Sequence, residues 1–231
     1  DILSRGTTST VEKNYITKNG ANVPVLFSAA VMRDAGGAVR GVVCVAKDIT
    51  DRKHMEERLQ RLALFDALTG LPNRALFFDR ANHLLAVARR NRHLLAFLYM
   101  DLDRFKTIND GLGHEMGDLV LAEAGRRIAS CTRQEDTVAR MGGDEFIGLC
   151  GKIVSPEDAA VVARKIIGAL AVPFLLRGHE CAISVSIGIS LYPFDGEDAE
   201  TLISRADAAM YRIKEQGRGG FAYHSAVPIP D

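Results

Sequence analysis

The chain lacks a charge imbalance: 29 Lys and Arg stand against 29 Asp and Glu in 231 residues, a net charge of zero. That balance gives no electrostatic reason to expect duplex nucleic acid or an anionic membrane as the main partner, and leaves room for a local basic pocket that takes phosphates. Long apolar runs are missing too. The continuous run Leu94 to Met100 falls far short of the roughly 20 residues a bilayer span needs, so no membrane segment is expected. No basic stretch followed by an apolar one opens the chain, so no secretory leader is expected, and a first residue of Asp1 rather than Met fits a piece of something longer. Cysteine is sparse. Cys44, Cys131, Cys150 and Cys181 lie far apart with no CxxC, which argues for buried thiols in a reducing cytoplasm and against a disulfide frame or a zinc site. The familiar phosphate and metal motifs fail as well. There is no GxxxxGK[ST], Gly111 to Met116 misses GxGxxG at its last position, and His114 to Asp118 is not HExxH.

What is present is globular. With 47% hydrophobic and 25% charged residues the chain is not disordered and carries enough apolar mass for a core. Thr8 to Lys18, Val23 to Arg33 and Val39 to Ile49 read as three strands, the first two joined at Asn19-Gly20, a two-residue hairpin signal, and the next two at Gly36-Gly37. From Asp51 the chain becomes charged, and Met55, Leu59 and Leu62 recur at helical spacing. That seam fits a helix packed on its own domain and a dimerising linker equally well.

From Leu64 the pattern alternates helix and strand. Ala75 to Arg92 is helical, with Leu76, Ala81, Leu84, Leu85 and Ala88 on one face, and Leu94 to Met100 reads as a strand buried on both sides. Asp118 to Thr132 is a second helix, and Thr137 to Met141 with Glu145 to Leu149 form a hairpin around Gly142-Gly143. Ser155-Pro156-Glu157-Asp158 opens a helix, with Ser to cap it, Pro in its first position and acids in its first turn. Cys181 to Tyr192 alternates strictly, Ile183, Val185, Ile187, Ile189 and Leu191 against Ser184, Ser186, Gly188 and Ser190. Leu202, Ala206, Met210 and Ile213 mark a last helix, stopped by Gly217. The expected fold is α/β with α+β character, a mixed sheet with helices on its faces.

The chemistry lies in carboxylates. Asp101 and Asp103 end the apolar strand, and Asp144 and Glu145 follow the glycines of the hairpin, positions that can converge at one sheet edge. Clustered carboxylates repel one another unless cations neutralise them, and oxygen donors without Cys or His favour Mg²⁺ or Mn²⁺ over zinc. Such an ion typically carries substrate phosphates, and Lys106 lies three residues past Asp103.

Gly142-Gly143-Asp144-Glu145-Phe146 reads GGDEF, and four further blocks accompany it in order. They are Asp66 to Arg74 (DxLTGLxNR), Asp101 to Asp110 with Gly113 to Asp118, Ser184 to Ile189, and Ala206 to Lys214. Over residues 64–225 the chain resembles the GGDEF-family diguanylate cyclases. Residues 1–50, closing on Asp48 to Lys53, resemble the C-terminal part of a PAS sensor domain, with 51–63 as a linker helix and 226–231 as a tail. The resemblance implies a palm-like fold related to nucleotidyl cyclases, and condensation of two GTP into cyclic di-GMP and two pyrophosphates by a homodimer.

The same resemblance assigns roles. Asp101, Asp144 and Glu145, with the Leu102 carbonyl, would hold Mg²⁺ or Mn²⁺, two ions per GTP. Asp144 or Glu145 would help deprotonate the 3′-hydroxyl. The backbone of Arg104 and Phe105, with Lys106, Lys214 and Arg218, would contact phosphates, while Asn109 and Asp118 would read guanine. Gly142 and Gly143 would let the backbone approach the α-phosphate, which a Cβ would obstruct. Arg133 to Asp136 matches the family's RxxD product-inhibition site at its usual spacing before GGDEF, with Arg164 as a second arginine. The competing expectation is a regulatory GTP-binding module that controls a downstream EAL phosphodiesterase domain without making product.

Overall fold

The computed structural model describes residues 10–225, and of Glu57 the backbone only. The start of the first expected strand, Thr8 and Ser9, and the tail 226–231 lie outside the described residues. The chain divides into two compact units between Arg61 and Leu62.

In the first unit β1 (Val11–Ile16), β2 (Asn22–Arg33) and β3 (Val39–Asp48) form an antiparallel three-stranded sheet in sequence order. The turn at Asn19-Gly20 is not the two-residue turn its sequence predicts. Thr17 and Ala21 close it, the Thr17 N–H donating to the Ala21 carbonyl at 2.8 Å, so three residues form the loop and only Gly20 takes the left-handed conformation. Gly37 does the same between Asp34 and Ala38, whose N–H also bonds the Asp34 carboxylate. The linker helix α1 (Thr50–Leu64) follows. Met55, Leu59 and Leu62 are each 59% exposed on it, so among the described residues the seam is left largely uncovered.

The second unit is built on a five-stranded mixed sheet. Its order is β10 (Phe221–Tyr223), β9 (Ser184–Tyr192), β4 (Leu94–Asp103), β6 (Glu145–Ile153), β5 (Thr137–Gly142). All neighbours are antiparallel except β10, which runs parallel to β9. Central β4 is buried on both faces, as its unbroken apolar run requires. Leu95, Phe97 and Tyr99 pack under α2 (Arg74–Asn91) and α6 (Ala199–Glu215), with Phe97 edge-on to Phe77 at 6.2 Å. Ala96, Leu98, Met100 and Leu102 pack with α4 (His114–Ser130) and α5 (Pro156–Ala171). Each large side chain so buried contributes roughly 1.5–3 kcal/mol.

The structure departs from the sequence reading in several elements, among them the second helix, which starts at His114 rather than Asp118, and β10, which the sequence reading lacks. A short helix α3 (Phe105–Leu112) precedes α4, where the Gly111 to Gly113 stretch hid it. Cys181 belongs not to β9 but to a small hairpin of β7 (Phe174–Leu176) and β8 (His179–Cys181). The polar side of β9 is also buried. A Cβ on Gly188 would lie 1.9 Å from the Ala206 carbonyl oxygen, so α6 rests directly on the strand backbone there, and the Ser190 hydroxyl bonds the Leu202 carbonyl at 2.7 Å.

Candidate active site

Strand alternation sets the site. Continuing the face that buries Phe97 and Tyr99, β4 next presents Asp101 and then Asp103. Asp101 lies directly opposite Glu145 on β6, which puts the two carboxylates side by side on one face. The hairpin tip is held to the end of β4 by the Leu102 N–H, which donates to the Asp144 carbonyl at 3.2 Å. Gly143, with φ of 51°, supplies the left-handed residue of that turn. Asp101, Leu102, Asp144 and Glu145 therefore lie near one corner of the sheet.

Asp101 is buried, and its Oδ2 lies 2.7 Å from the Lys214 ammonium on α6. Burial, with the negative charges of Asp144 and Glu145, pushes its carboxyl above the ordinary value, against the pull of Lys214. The Tyr99 hydroxyl donates to Glu145 Oε2 at 3.1 Å, and sequence reasoning had given Tyr99 no role.

Asp103 needs correcting. Grouped with the acidic cluster by sequence, it is consumed by structure, accepting from the hydroxyls of Ser184 at 2.6 Å and Ser186 at 2.7 Å and from the Gly219 N–H at 3.1 Å. It ties the loop after α6 to the sheet. The polar alternation of β9 was the signal that could have found this.

Beyond Asp103 the chain turns sharply, with Arg104 left-handed at φ of 57°, Phe105 buried and Lys106 exposed. Arg104 and Arg218, the latter also left-handed at φ of 69°, line one open cleft of about 610 Å³ with Thr107, Ile108 and Ser184. Asn109 on α3 carries the buried side-chain oxygen that finds no hydrogen-bond partner among the described residues. It faces Gly117, where a Cβ would come within 1.9 Å of it. Asp118 is exposed in the first part of α4.

A buttress stands behind the hairpin. Arg140 donates from Nε and Nη2 to the Gly143 carbonyl at 3.0 and 2.7 Å, while Nη1 contacts both carboxylate oxygens of Asp66 at 3.1 Å. Burial raises the Asp66 pKa, but bonds from Thr69 and Arg140 outweigh it and leave the carboxyl below its ordinary value. The opening DxLTGLxNR motif and the hairpin are thus one mechanical unit, a link that sequence alone did not disclose.

At the RxxD segment the Arg133 N–H, rather than its guanidinium, meets Asp136 Oδ2 at 2.9 Å, and Asp136 Oδ1 accepts from the Gly151 N–H at 3.1 Å. The Arg133 side chain reaches the Lys152 carbonyl at 3.5 Å. Arg164 lies over the Phe221 ring, 5.8 Å from its centroid, and among the described residues no hydrogen bond or ion pair joins it to Arg133 or Asp136.

The donors at the sheet corner are all oxygen, which suits a hard cation. Among the described residues no three ligating side chains already converge as a ready cation cage, and Lys214 supplies the positive charge at Asp101.

The family described as "Diguanylate cyclase, GGDEF domain" matches residues 63–220, and a PAS domain family matches residues 1–51. The chain belongs to the GGDEF family. MucR of Pseudomonas aeruginosa, a bifunctional diguanylate cyclase/cyclic di-GMP phosphodiesterase, is 45% identical over 174 residues, 75% of this chain and 25% of MucR. The diguanylate cyclase TpbB of Pseudomonas aeruginosa is 44% identical over 162 residues, 70% of this chain and 37% of TpbB. The crystal structure of its GGDEF domain superposes with a TM-score of 0.67 at 43% identity, covering 68% of this chain and 99% of that one. The coiled coil and GGDEF domain of DgcB from Caulobacter crescentus, solved with c-di-GMP, gives a TM-score of 0.66 at 27% identity, covering 76% and 93%. The chain spans about a quarter of the length of the first curated relatives it matches.

Proposed function

We propose that the chain is a diguanylate cyclase, condensing two GTP into cyclic di-GMP with release of two pyrophosphates, one GTP on each of two facing subunits. The observation that carries the reading is the corner where Asp101 and Glu145 stand opposite one another, Asp144 sits at the adjoining tip, and Lys214 neutralises part of the charge. Two Mg²⁺ or Mn²⁺ per GTP, held by Asp101, Asp144, Glu145 and the Leu102 carbonyl, would supply Lewis acidity at the phosphates. The chain's own groups do the rest. Backbone N–H groups of Arg104 and Phe105, with Lys106 and Arg218, take the β- and γ-phosphates, and Lys214 turns to them once relieved of Asp101. Asn109 and Asp118 bond the guanine edge, the unpartnered Asn109 oxygen being a waiting acceptor. Gly142 and Gly143 leave room for the α-phosphate. Asp144 or Glu145 accepts the proton of the attacking 3′-hydroxyl.

Because one subunit's hydroxyl attacks the other's α-phosphate, activity per subunit should rise with protein concentration until the dimer saturates. The exposed Met55, Leu59 and Leu62 seam favours that pairing, and the PAS-like unit feeds its signal through α1. The test is incubation with GTP and Mg²⁺ and chromatographic detection of cyclic di-GMP. A second reading draws on MucR, whose name includes a phosphodiesterase: the domain binds GTP and regulates a following EAL domain. GTP binding without turnover would select it.

A further inference from the structure

Tyr99 sits where the hydrophobic face of β4 gives way to the catalytic corner, between Phe97 and Asp101. The residue is 8% exposed and packs in the cluster formed with α2 and α6, work a phenylalanine ring would do equally well. The hydroxyl is what packing does not require. Burying a phenol costs its hydration unless it finds an acceptor, and the acceptor here is Glu145 Oε2 at 3.1 Å. Glu145 needs such a donor. It stands directly opposite Asp101 and next to Asp144, and like charges so placed drive a flexible carboxylate outward to solvent.

We propose that Tyr99 is a positioning residue for the condensation, its hydroxyl donating to Oε2 of Glu145 and pinning that carboxylate over the end of β4, with Oε1 left to engage cation or 3′-hydroxyl. The inference rests on the cyclase reading and deepens it. A carboxylate oxygen only accepts and a phenol carries its proton at neutral pH, so in this contact the Tyr99 hydroxyl is the donor. Partners standing behind a ligating group typically matter 10- to 100-fold in metal affinity or activity.

The test is Tyr99→Phe, which keeps the ring and removes the oxygen. Its kcat should fall about 10-fold with the KM for GTP within about two-fold of wild type, the pattern of a group whose effect is confined to the reacting centre. Mn²⁺ affinity, read by electron paramagnetic resonance, should weaken about 10-fold, while the melting temperature stays near wild type. In a Glu145→Ala background, which removes the acceptor, the same substitution should change Mn²⁺ affinity little, because the hydroxyl acts through that carboxylate. Wild-type kcat and Mn²⁺ affinity in Tyr99→Phe, or an equal loss of Mn²⁺ affinity in the Glu145→Ala background, overturns the proposal. A wild-type protein that makes no cyclic di-GMP overturns the cyclase reading instead, and the Mn²⁺ comparison still decides what Tyr99 does to Glu145.

Discussion

The Lys214 ammonium lies 2.7 Å from Oδ2 of Asp101, so a helix cation occupies the corner where the carboxylates gather. That pairing is incomplete compensation, since the Asp101 carboxyl is still pushed above its ordinary 3.8. A carboxyl raised in the folded state gives stability below its unfolded pKa and loses it as pH climbs through the folded one. Without Mg²⁺, the stability of Asp101→Asn relative to wild type should therefore improve as pH rises from about 4 to about 8. Mg²⁺ should stabilise wild type more at the upper end and do little for the variant. Urea denaturation at several pH values checks this; a difference flat with pH contradicts it.

Asp144→Asn should fold normally, because a half-exposed hairpin tip accepts the isostere. Its turnover should fall by orders of magnitude, since the lost carboxylate no longer stabilises charge developing at the α-phosphate. Steady-state formation of cyclic di-GMP beside a far-ultraviolet circular dichroism spectrum is the measurement, and near-normal rates would remove Asp144 from the site.

Arg140→Lys keeps a charge for Asp66 but loses the forked grip on the Gly143 carbonyl, so turnover should drop about 10-fold or more with a small change in melting temperature. Asp66→Asn acts on stability instead, by about 1–3 kcal/mol at neutral pH. Its carboxyl is held below 3.8, so the bond's contribution is present above that value and vanishes as pH falls through the lowered pKa. Denaturation of Asp66→Asn and wild type should converge in acid.

Gly188→Ala places a methyl 1.9 Å from the Ala206 carbonyl oxygen and 2.3 Å from the Met210 nitrogen, both backbone atoms of α6. Rearrangement must move the helix that carries Lys214, at a cost of about 3 kcal/mol or more. A urea midpoint unchanged from wild type would show that α6 does not rest on β9 as described.

Product inhibition gives the last outcome. Among the described residues the Arg133 guanidinium makes one hydrogen bond, to the Lys152 carbonyl at 3.5 Å, which leaves it donors to offer the guanine O6 and N7 of cyclic di-GMP. Wild type should slow as product accumulates, or purify with product bound, and Arg133→Ala should bind product weakly and keep turning over. Equal inhibition of both would take the segment out of the account.

Period and punctuation alone made much of this protein legible. Two-sided apolarity placed Leu94 to Met100 at the sheet centre, strict alternation gave β9, and Gly142-Gly143 gave the hairpin that brings Asp144 and Glu145 to Asp101. These follow from local backbone preference and side-chain periodicity, which depend on neighbours in sequence. Three things were decided only by tertiary packing. Asp103 left the acidic cluster because Ser184, Ser186 and Gly219, more than 80 residues away, saturate it. Arg140 became a strut because Asp66 and Gly143 fall on either side of it. Tyr99 met Glu145 because β4 and β6 pair in one register, and a one-residue slip would turn the hydroxyl to the other face of the sheet. Sequence determined which residues could take part, and the long-range register determined which of them touch.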